Sequence, residues 1–416
     1  MSVSSSQSIA DPAAEAAQLL SRIGMALIAI AAPCAAMGAR RAIFILMPVG
    51  AALILIAALL GGRRDSLRPL AAWLGSPIGL AALLFAFWSG LSLAWTPFPA
   101  EAAARLGKAA GTVALAMLAA AFLPQRTRAS NLYLLPIGAG LASLAAVFVL
   151  YEGPALLATI VDGDDSTLER GMDGLAVLLW PALAAVAERG RWTLASLVAI
   201  LAISAAVLVP APLAQLGLLA GAVVFALAVS APVFAGRLLA VVAALALLAA
   251  PALPLALALL PRDGLLRPDG ALAETMASID VWRGIVVNDG WRLLTGHGID
   301  TATRGVARGL LKPDLPGGIL FEVWYELGAV GAASLATLSA LGFLAAGRLG
   351  RTAAPFVLAG LAVPLAMAML SLSTAQLWWV NALGLCAICF THVARAEQRA
   401  GRPSVRRVNG RVALPA

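Results

Sequence analysis

The sequence predicts an all-α integral membrane protein that crosses the bilayer many times. Of its 416 residues, 61% are hydrophobic and only 12% are charged, and the mean hydropathy is +0.92. A soluble domain has about 45–50% apolar and about 25% charged residues, so this composition excludes an ordinary soluble protein. Apolar runs of roughly 20 residues, long enough to span a bilayer as helices, recur from end to end.

About twelve of these runs are long enough to be candidate transmembrane helices. The basic residues between them fall mostly in alternate connections, and basic connections tend to stay in the cytoplasm. Both termini are therefore expected inside, with the pair Arg40-Arg41 as the exception. The predicted spans are 21–37, 42–60, 77–95, 104–123, 132–151, 172–187, 192–209, 213–234, 238–260, 319–345, 353–371 and 375–393.

We expect residues 1–416 to form a single transmembrane domain. Two longer connections, 152–171 and 261–318, then face outward, and the second precedes the tenth helix; a basic tail, 394–416, is cytoplasmic. The polar start lacks the basic and apolar regions of a secretory signal, so the first helix is expected to direct targeting. The net charge of +8 does not indicate nucleic acid, because the basic residues are scattered between apolar runs.

The long outer loop begins with an amphipathic pattern over 271–288. Met276, Ile279, Trp282 and Val286 recur there at helical spacing, with charged residues elsewhere. This spacing predicts a helix whose apolar stripe lies on the membrane surface or on the helix bundle, with Trp282 at headgroup depth.

A second segment of this loop, 300–312, is also predicted to be helical. Asp300 is expected as its N-cap and Pro313 as its stop. Its bases recur every fourth residue, so they would form one cationic stripe, suited either to anionic headgroups or to phosphate. These bases are Arg304, Arg308 and Lys312.

Two short patterns carry no predicted chemistry. Gly296-His297-Gly298 is not a dinucleotide fingerprint, because no strand precedes it. Cys386 and Cys389 have the spacing of a metal or redox pair, but they lie in an apolar run with no second pair nearby. We interpret both cysteines as small packing residues and expect no metal site.

Charged residues near the ends of apolar runs indicate a functional site, because ionisable groups are expensive within a bilayer. In the predicted topology they all lie at the outer face, where a cavity with cations and carboxylates would hold a lipid-linked anion and a polar acceptor. The alternative is that they snorkel and pair at the interface. The residues are Arg105, Lys108, Arg170, Asp173, Glu322 and Glu326.

Four stretches of the chain have the order and topology of one known family. They are 89–108 with its Trp95-Thr96-Pro97, 169–184 (ERGMDGLAVLLWPALA), 281–305 (VWRGIVVNDGWRLLTGHGIDTATRG) and 316–333 (PGGILFEVWYELGAVGAA). Together they cover most of residues 80–335, and they resemble the bacterial O-antigen ligase family, which includes O-antigen polymerases and some protein O-oligosaccharyltransferases.

The resemblance implies a GT-C-like glycosyltransferase of the bacterial inner membrane. Such an enzyme takes a lipid-linked oligosaccharide from undecaprenyl diphosphate at the periplasmic face, and it needs no metal or other cofactor. The acceptor is lipid A-core, another glycan or a protein, and the remaining contacts are with membrane lipids. Arginines would neutralise the leaving diphosphate, and a base would accept the proton of the acceptor hydroxyl.

The resemblance also implies roles for particular residues. Arg170, Arg304, Glu326 and the glycines of the tenth span match family positions, but the family's His-Asn pair falls at Gly317-Gly318. The expected base is therefore Glu322, Glu326 or His297. The residues expected to bind diphosphate or glycan are Arg105, Lys108, Arg170, Arg283, Arg304 and Arg308.

Two alternatives follow from the same sequence. The missing histidine favours a degenerate homologue that binds lipid-linked glycan, or supports a partner enzyme, without transferring the glycan. Twelve spans with both ends inside also fit a transporter of polysaccharide precursors, although the two halves show no repeated broken helices.

Overall fold

The computed structural model describes residues 12–62, 67–124, 129–156, 166–259, 271–312, 314–370 and 376–400, with 407–408 and 411–412. The described chain is helical except for turns, loops and one short antiparallel hairpin of Arg407–Val408 and Arg411–Val412. The helices are α1 Pro12–Ala36, α2 Ala42–Leu60, α3 Leu67–Leu74, α4 Pro77–Leu91, α5 Pro99–Phe122, α6 Leu134–Leu156, α7 Ser166–Ala187, α8 Trp192–Leu208, α9 Pro212–Ser230, α10 Pro232–Leu248, α11 Ala252–Leu257, α12 Ala271–Asn288, α13 Arg292–Thr295, α14 Thr301–Ala307, α15 Ile319–Ala346, α16 Ala354–Leu370 and α17 Leu377–Ala400.

The fold class predicted from hydropathy, an all-α polytopic membrane protein, is confirmed. Nine helices in the described chain are long and apolar enough to cross a membrane, judged by length and composition. The apolar helices α8, α10 and α16 have 17 residues each, or about 26 Å of helix. Every predicted run thus contains a helix, while the count of twelve crossings stays a prediction.

Some predicted boundaries are wrong, and proline explains the largest error. The predicted run 238–260 contains Pro251, at which a kink is expected; instead of a kinked helix, α10 ends at Leu248 and a separate short helix begins at Ala252. Pro251 has no N–H to continue the helical ladder. Residues 157–165, 260–270 and 401–406 lie outside the described residues, so parts of both predicted outer loops and of the basic tail do too.

The helix α7 forms the centre of the bundle, because almost all of its side chains are buried. It packs against α6, α16 and α17. Small residues on its neighbours permit this contact. A Cβ atom on Gly221 of α9 would lie 2.4 Å from the Trp180 ring, so that position admits no side chain without rearrangement. This packing leaves α4, α5, α15, α16 and α17 grouped around a cavity.

The long helix α15 is broken at Gly328, whose φ of 64° and ψ of −163° are not helical. The break leaves carbonyl groups without helical partners, and buried carbonyls need hydrogen bonds. One partner comes from a distant helix: the indole N–H of Trp88 donates to the carbonyl of Leu327 at 2.8 Å. Others come from the outer loop, as described below.

Candidate functional site

A cavity of about 800 Å³ opens among α4, α5, α15, α16 and α17. Its walls are mostly leucine, valine, alanine and phenylalanine. The charged side chains that line it come together at one end, called here the charged end: Arg105, Glu322 and Glu326. An apolar cavity with a few convergent polar groups is the usual form of a small-molecule site.

The two glutamates of α15 share one helical face, as their spacing predicts, but they have different surroundings. Both are buried, at 6% exposure for Glu322 and 4% for Glu326. Oε1 of Glu326 accepts a hydrogen bond of 3.0 Å from the backbone N–H of Ala302. Glu326 therefore holds the start of α14 in place, while Glu322 lies one turn closer to the beginning of α15.

Asp300 holds the arginine of the charged end in place. Its carboxylate accepts hydrogen bonds from the guanidinium groups of Arg105 and Arg304, and its side chain is only 3% exposed. The hydrogen bond to Asp300 raises the pKa of the Arg304 guanidinium further above its already high value. A guanidinium has five N–H donors, so pairing with Asp300 does not exhaust Arg105.

The prediction that Asp300 caps a helix over 300–312 is only half right. Asp300 does precede α14, but it adopts a left-handed conformation with φ of 68°, and its side chain makes no capping bond. The helix also ends at Ala307, so Lys312 lies beyond it, and Pro313 lies outside the described residues. The Asp300 carboxylate instead pairs with two guanidinium groups, so both partners in each hydrogen bond carry a full charge.

The segment Gly296–Asp300, called here the strap, lies along α15 beside its break. The backbone N–H of His297 donates to the carbonyl of Tyr325 at 2.8 Å. The N–H of Gly298 donates to the carbonyl of Glu326 at 2.9 Å. The strap thus satisfies two carbonyls next to the broken turn, and these hydrogen bonds fix the position of Asp300 beside the cavity.

Two glycines make this contact possible. Gly296 has φ of 73°, and a Cβ atom there would lie 2.2 Å from the carbonyl oxygen of Glu326. Gly298 has φ of 97°, and a Cβ atom there would lie 2.6 Å from the Cα of Thr96. On this second side, the Thr96 hydroxyl donates to the carbonyl of Ile299 at 3.0 Å. The strap is therefore enclosed between α15 and the turn that follows α4.

His297 lies on a different face of α15 from the cavity. Its ring stacks on Tyr325 with centroids 4.1 Å apart, and its Nε2 is 3.5 Å from a carboxylate oxygen of Asp289. Trp282 packs edge-on against Phe321 in the same aromatic cluster, with centroids 5.7 Å apart. The structure therefore does not bring His297 together with the two glutamates as one catalytic group.

The helix predicted over 271–288 is confirmed as α12, and Trp282 and Val286 of its apolar stripe pack in one cluster with Phe321 of α15. Trp282 is 5% exposed within the protein and contacts the start of α15. It therefore packs inside the protein, which favours the helix bundle over the membrane surface as the partner of the stripe, while its depth relative to the headgroups stays a prediction. The exposed aromatic residue of this region is Trp291, at 83%.

Most of the cations expected to bind substrate lie away from the cavity. Arg283 pairs with Asp280 at 3.5 Å, and both are exposed. Arg308 is 66% exposed and lies 3.9 Å from Glu101. Exposed pairs of this kind contribute little to stability or site charge. Arg304 and Arg308 of the predicted cationic stripe thus pair with separate carboxylates, Asp300 and Glu101.

Two other predicted cations are absent from the lining of the cavity. Lys108 is exposed on α5, and Arg170 lies in the first turns of α7. Of the six predicted binding residues, only Arg105 lines the cavity, and Arg304 is linked to it through Asp300. In the described part of the chain, no group of three or more His, Cys, Asp or Glu side chains is placed to hold a metal ion.

The sequence reasoning missed the strap, Asp300 as a double acceptor, and Trp88. The available signal was Gly296-His297-Gly298, whose glycines mark a close backbone approach rather than a nucleotide site. Comparison with family models and with curated proteins gave no match for this chain. The cavity and its charged end are therefore the features from which a function must be inferred.

Proposed function

We propose that this protein is a glycosyltransferase of the O-antigen ligase type in the bacterial inner membrane. It would move a glycan from a prenyl diphosphate carrier to an acceptor, either lipid A-core or a growing polysaccharide, at the outer face. The observation that carries this proposal is the apolar cavity of about 800 Å³ with Arg105, Glu322 and Glu326 at one end. That combination suits an amphiphile with a long apolar tail and a charged head.

In this proposal the donor places its tail in the cavity and its diphosphate at Arg105. The Arg105 guanidinium is held in place by its hydrogen bond to Asp300, so it is preorganised for the negative charge that develops on the leaving diphosphate. Arg304 contributes positive charge through the same carboxylate. The predicted topology, with both termini in the cytoplasm, would put this end of the cavity at the outer face.

Glu322 is the best candidate for the base. Glu322 lines the cavity one turn closer than Glu326 to the outer end of α15, where the polar acceptor would arrive, whereas His297 lies on another face of the helix. In the proposed step, the acceptor oxygen bonds to the anomeric carbon while the bond from that carbon to the diphosphate oxygen breaks. The acceptor proton passes to Glu322, and the electron pair leaves with the diphosphate.

The test is glycan transfer in liposomes that contain only this protein, a lipid-linked oligosaccharide and an acceptor. We expect Glu322→Gln to lower the transfer rate at least tenfold, because a missing base typically costs about 10²–10⁴ in rate. Glu101→Gln is the matched control, since Glu101 lies at the same end but does not line the cavity. Unchanged transfer by Glu322→Gln would contradict the assignment, and no transfer by the parent protein would contradict the proposed function.

One observation favours a second candidate, binding of lipid-linked glycan without transfer. Among the described residues no histidine lines the cavity, because His297 stacks on Tyr325 on another face of α15, so the charged end lacks the histidine that the resemblance associates with transfer. A protein that only holds the donor for a partner enzyme would bind it in the same cavity. Saturable donor binding together with no turnover on any acceptor would support this candidate over the first.

A further inference from the structure

Basic side chains also come together at the end of the bundle opposite the charged end. Arg105 lies near the start of α5, whereas the Arg395 guanidinium donates hydrogen bonds to the carbonyls of Ala121 and Leu123 at the other end of that helix. At a helical rise of about 1.5 Å per residue, Arg105 and Leu123 are about 27 Å apart. The hydrocarbon core of a bilayer is about 30 Å thick, so the two ends of α5 are separated by nearly that thickness.

A tyrosine ring at this opposite end holds two arginines. Tyr133 is the last residue of a short 3-10 helix, Ala129–Tyr133, which contacts α7 and α17. The guanidinium carbon of Arg189 lies 5.1 Å from the centroid of the Tyr133 ring, and that of Arg191 lies 5.4 Å from it. Both distances are within the roughly 6 Å of a cation–π contact. Tyr133, Arg189 and Arg191 are called here the arginine site.

The arginine site brings two like charges to one ring. Among the described residues, neither Arg189 nor Arg191 forms an ion pair with a carboxylate. Glu188 precedes them in the chain, so the turn Glu188–Arg191 keeps a net positive charge. Like charges held close together repel, and an anion between them would remove that repulsion. Guanidinium groups suit a phosphate in particular, because their N–H donors match the spacing of its oxygens.

The backbone of the same turn offers further donors. Arg191 is the N-cap of α8 but makes no side-chain capping bond, and the first N–H groups of a helix have no helical partner. Gly190, with φ of 69°, forms the turn between the two arginines, and a Cβ atom built on it would meet no atom within 4 Å. The space over the turn is therefore open. The start of α8 and the arginine pair thus favour the same kind of ligand, a phosphate group.

The exposed face of α8 indicates that this phosphate belongs to a lipid. Trp192 follows Arg191 directly and is exposed, and tryptophan is enriched at the level of the headgroups. Further along α8, three apolar side chains are at least half exposed: Leu197, Ile200 and Ile203. They would lie against the acyl chains of a lipid whose phosphate meets the two arginines. A soluble phosphate would make no use of that apolar face.

We propose that the arginine site binds the phosphate of an anionic phospholipid such as phosphatidylglycerol, with the acyl chains along α8. A zwitterionic lipid carries an ammonium group beside its phosphate, and two guanidinium groups would repel it. The bound lipid would link the turn between α7 and α8 to the start of α6, because Tyr133 directly precedes α6. The proposal does not depend on the proposed function, since the cavity has its charged end at the other end of the bundle.

The test counts bound lipids by native mass spectrometry. The full chain in detergent micelles is titrated with phosphatidylglycerol, and separately with phosphatidylcholine that has the same acyl chains. We expect phosphatidylglycerol to bind more tightly. Arg189→Gln and Arg191→Gln should each weaken its binding about fivefold, which corresponds to the attraction of one arginine at a membrane surface. Tyr133→Leu should also weaken it, because the guanidinium groups lose their common ring, whereas Tyr133→Phe should keep the parental affinity.

Arg348→Gln is the matched control. Arg348 is an exposed arginine that follows the end of α15, as Arg189 follows the end of α7, and it is not one of the two that contact Tyr133. Equal weakening by Arg348→Gln and Arg191→Gln would mean diffuse attraction and would overturn the site. Parental affinity in both arginine-site variants would overturn it as well. Equal binding of the two lipids, or displacement of phosphatidylglycerol by inorganic phosphate at the same concentration, would overturn the choice of an anionic lipid.

Discussion

The two faces of α15 have different surroundings, although both are encoded within the same two turns of helix. Glu322 and Glu326 face the cavity, whereas Tyr325 stacks on His297 and Phe321 packs edge-on against Trp282. On the cavity face, charged side chains lie beside a large apolar space. On the aromatic face, rings of α15 contact rings of the outer loop. In the proposed function, the chemistry belongs to the cavity face, and the aromatic face attaches the outer loop.

The strap connects these two faces. His297 at its beginning lies on the aromatic face, and Asp300 at its end pairs with Arg105 beside the cavity. The position of the charged end therefore depends on how the outer loop is attached to α15. Four substitutions test this division of roles, and they are given in order of decreasing expected effect.

The largest effect is expected for Asp300→Asn. The change removes the counter-charge of Arg105, whose side chain is only 14% exposed, so we expect a loss of about 3 kcal/mol in stability. Thermal unfolding of the detergent-solubilised protein would measure it. Asp280→Asn is the control, because the pair between Asp280 and Arg283 is exposed and should contribute about 0–1 kcal/mol. Equal melting temperatures for the two variants would refute the central role of Asp300.

The next effect is expected for Gly296→Ala. An alanine there would have an unfavourable φ and a Cβ atom 2.2 Å from the carbonyl oxygen of Glu326, at a cost of about 2–3 kcal/mol. The strap should separate from α15, so melting temperature and donor binding should both fall. Gly290→Ala, with no atom within 4 Å of its Cβ, should leave both unchanged. Donor binding that survives Gly296→Ala would separate the strap from the cavity.

These two positions also show what the sequence could predict. The helices follow from local information, since hydropathy and length alone determine a span. The pair of Arg105 and Asp300 joins residues 195 positions apart, and no pattern in a single sequence indicates it. The sequence shows glycines at positions 296 and 328. It does not show that Gly296 and Gly328 are needed because the backbones of the strap and α15 come into close contact there. Local patterns thus predicted the bundle and the glutamate face, while the strap required the folded structure.

A third test compares the two glutamates directly. Glu326→Ala leaves the buried N–H of Ala302 without its acceptor, which should cost about 1–3 kcal/mol. Glu326→Gln keeps an acceptor oxygen and should recover most of that stability. Glu322→Gln should lower glycan transfer, because it removes the proposed base. If Glu326→Gln abolishes transfer while Glu322→Gln does not, the roles of the two carboxylates are reversed.

The smallest effect is expected for His297→Ala, which tests the aromatic face alone. The change removes the ring stacked on Tyr325, a contact of about 0.5–1.5 kcal/mol, but it keeps the backbone N–H that holds the strap. The melting temperature should fall slightly, and His297→Phe should restore it. Transfer should continue at the parental rate in both variants, because the imidazole does not line the cavity. Loss of transfer in a stable His297→Phe protein would instead make His297 the base, and the two faces of α15 would then act as one site.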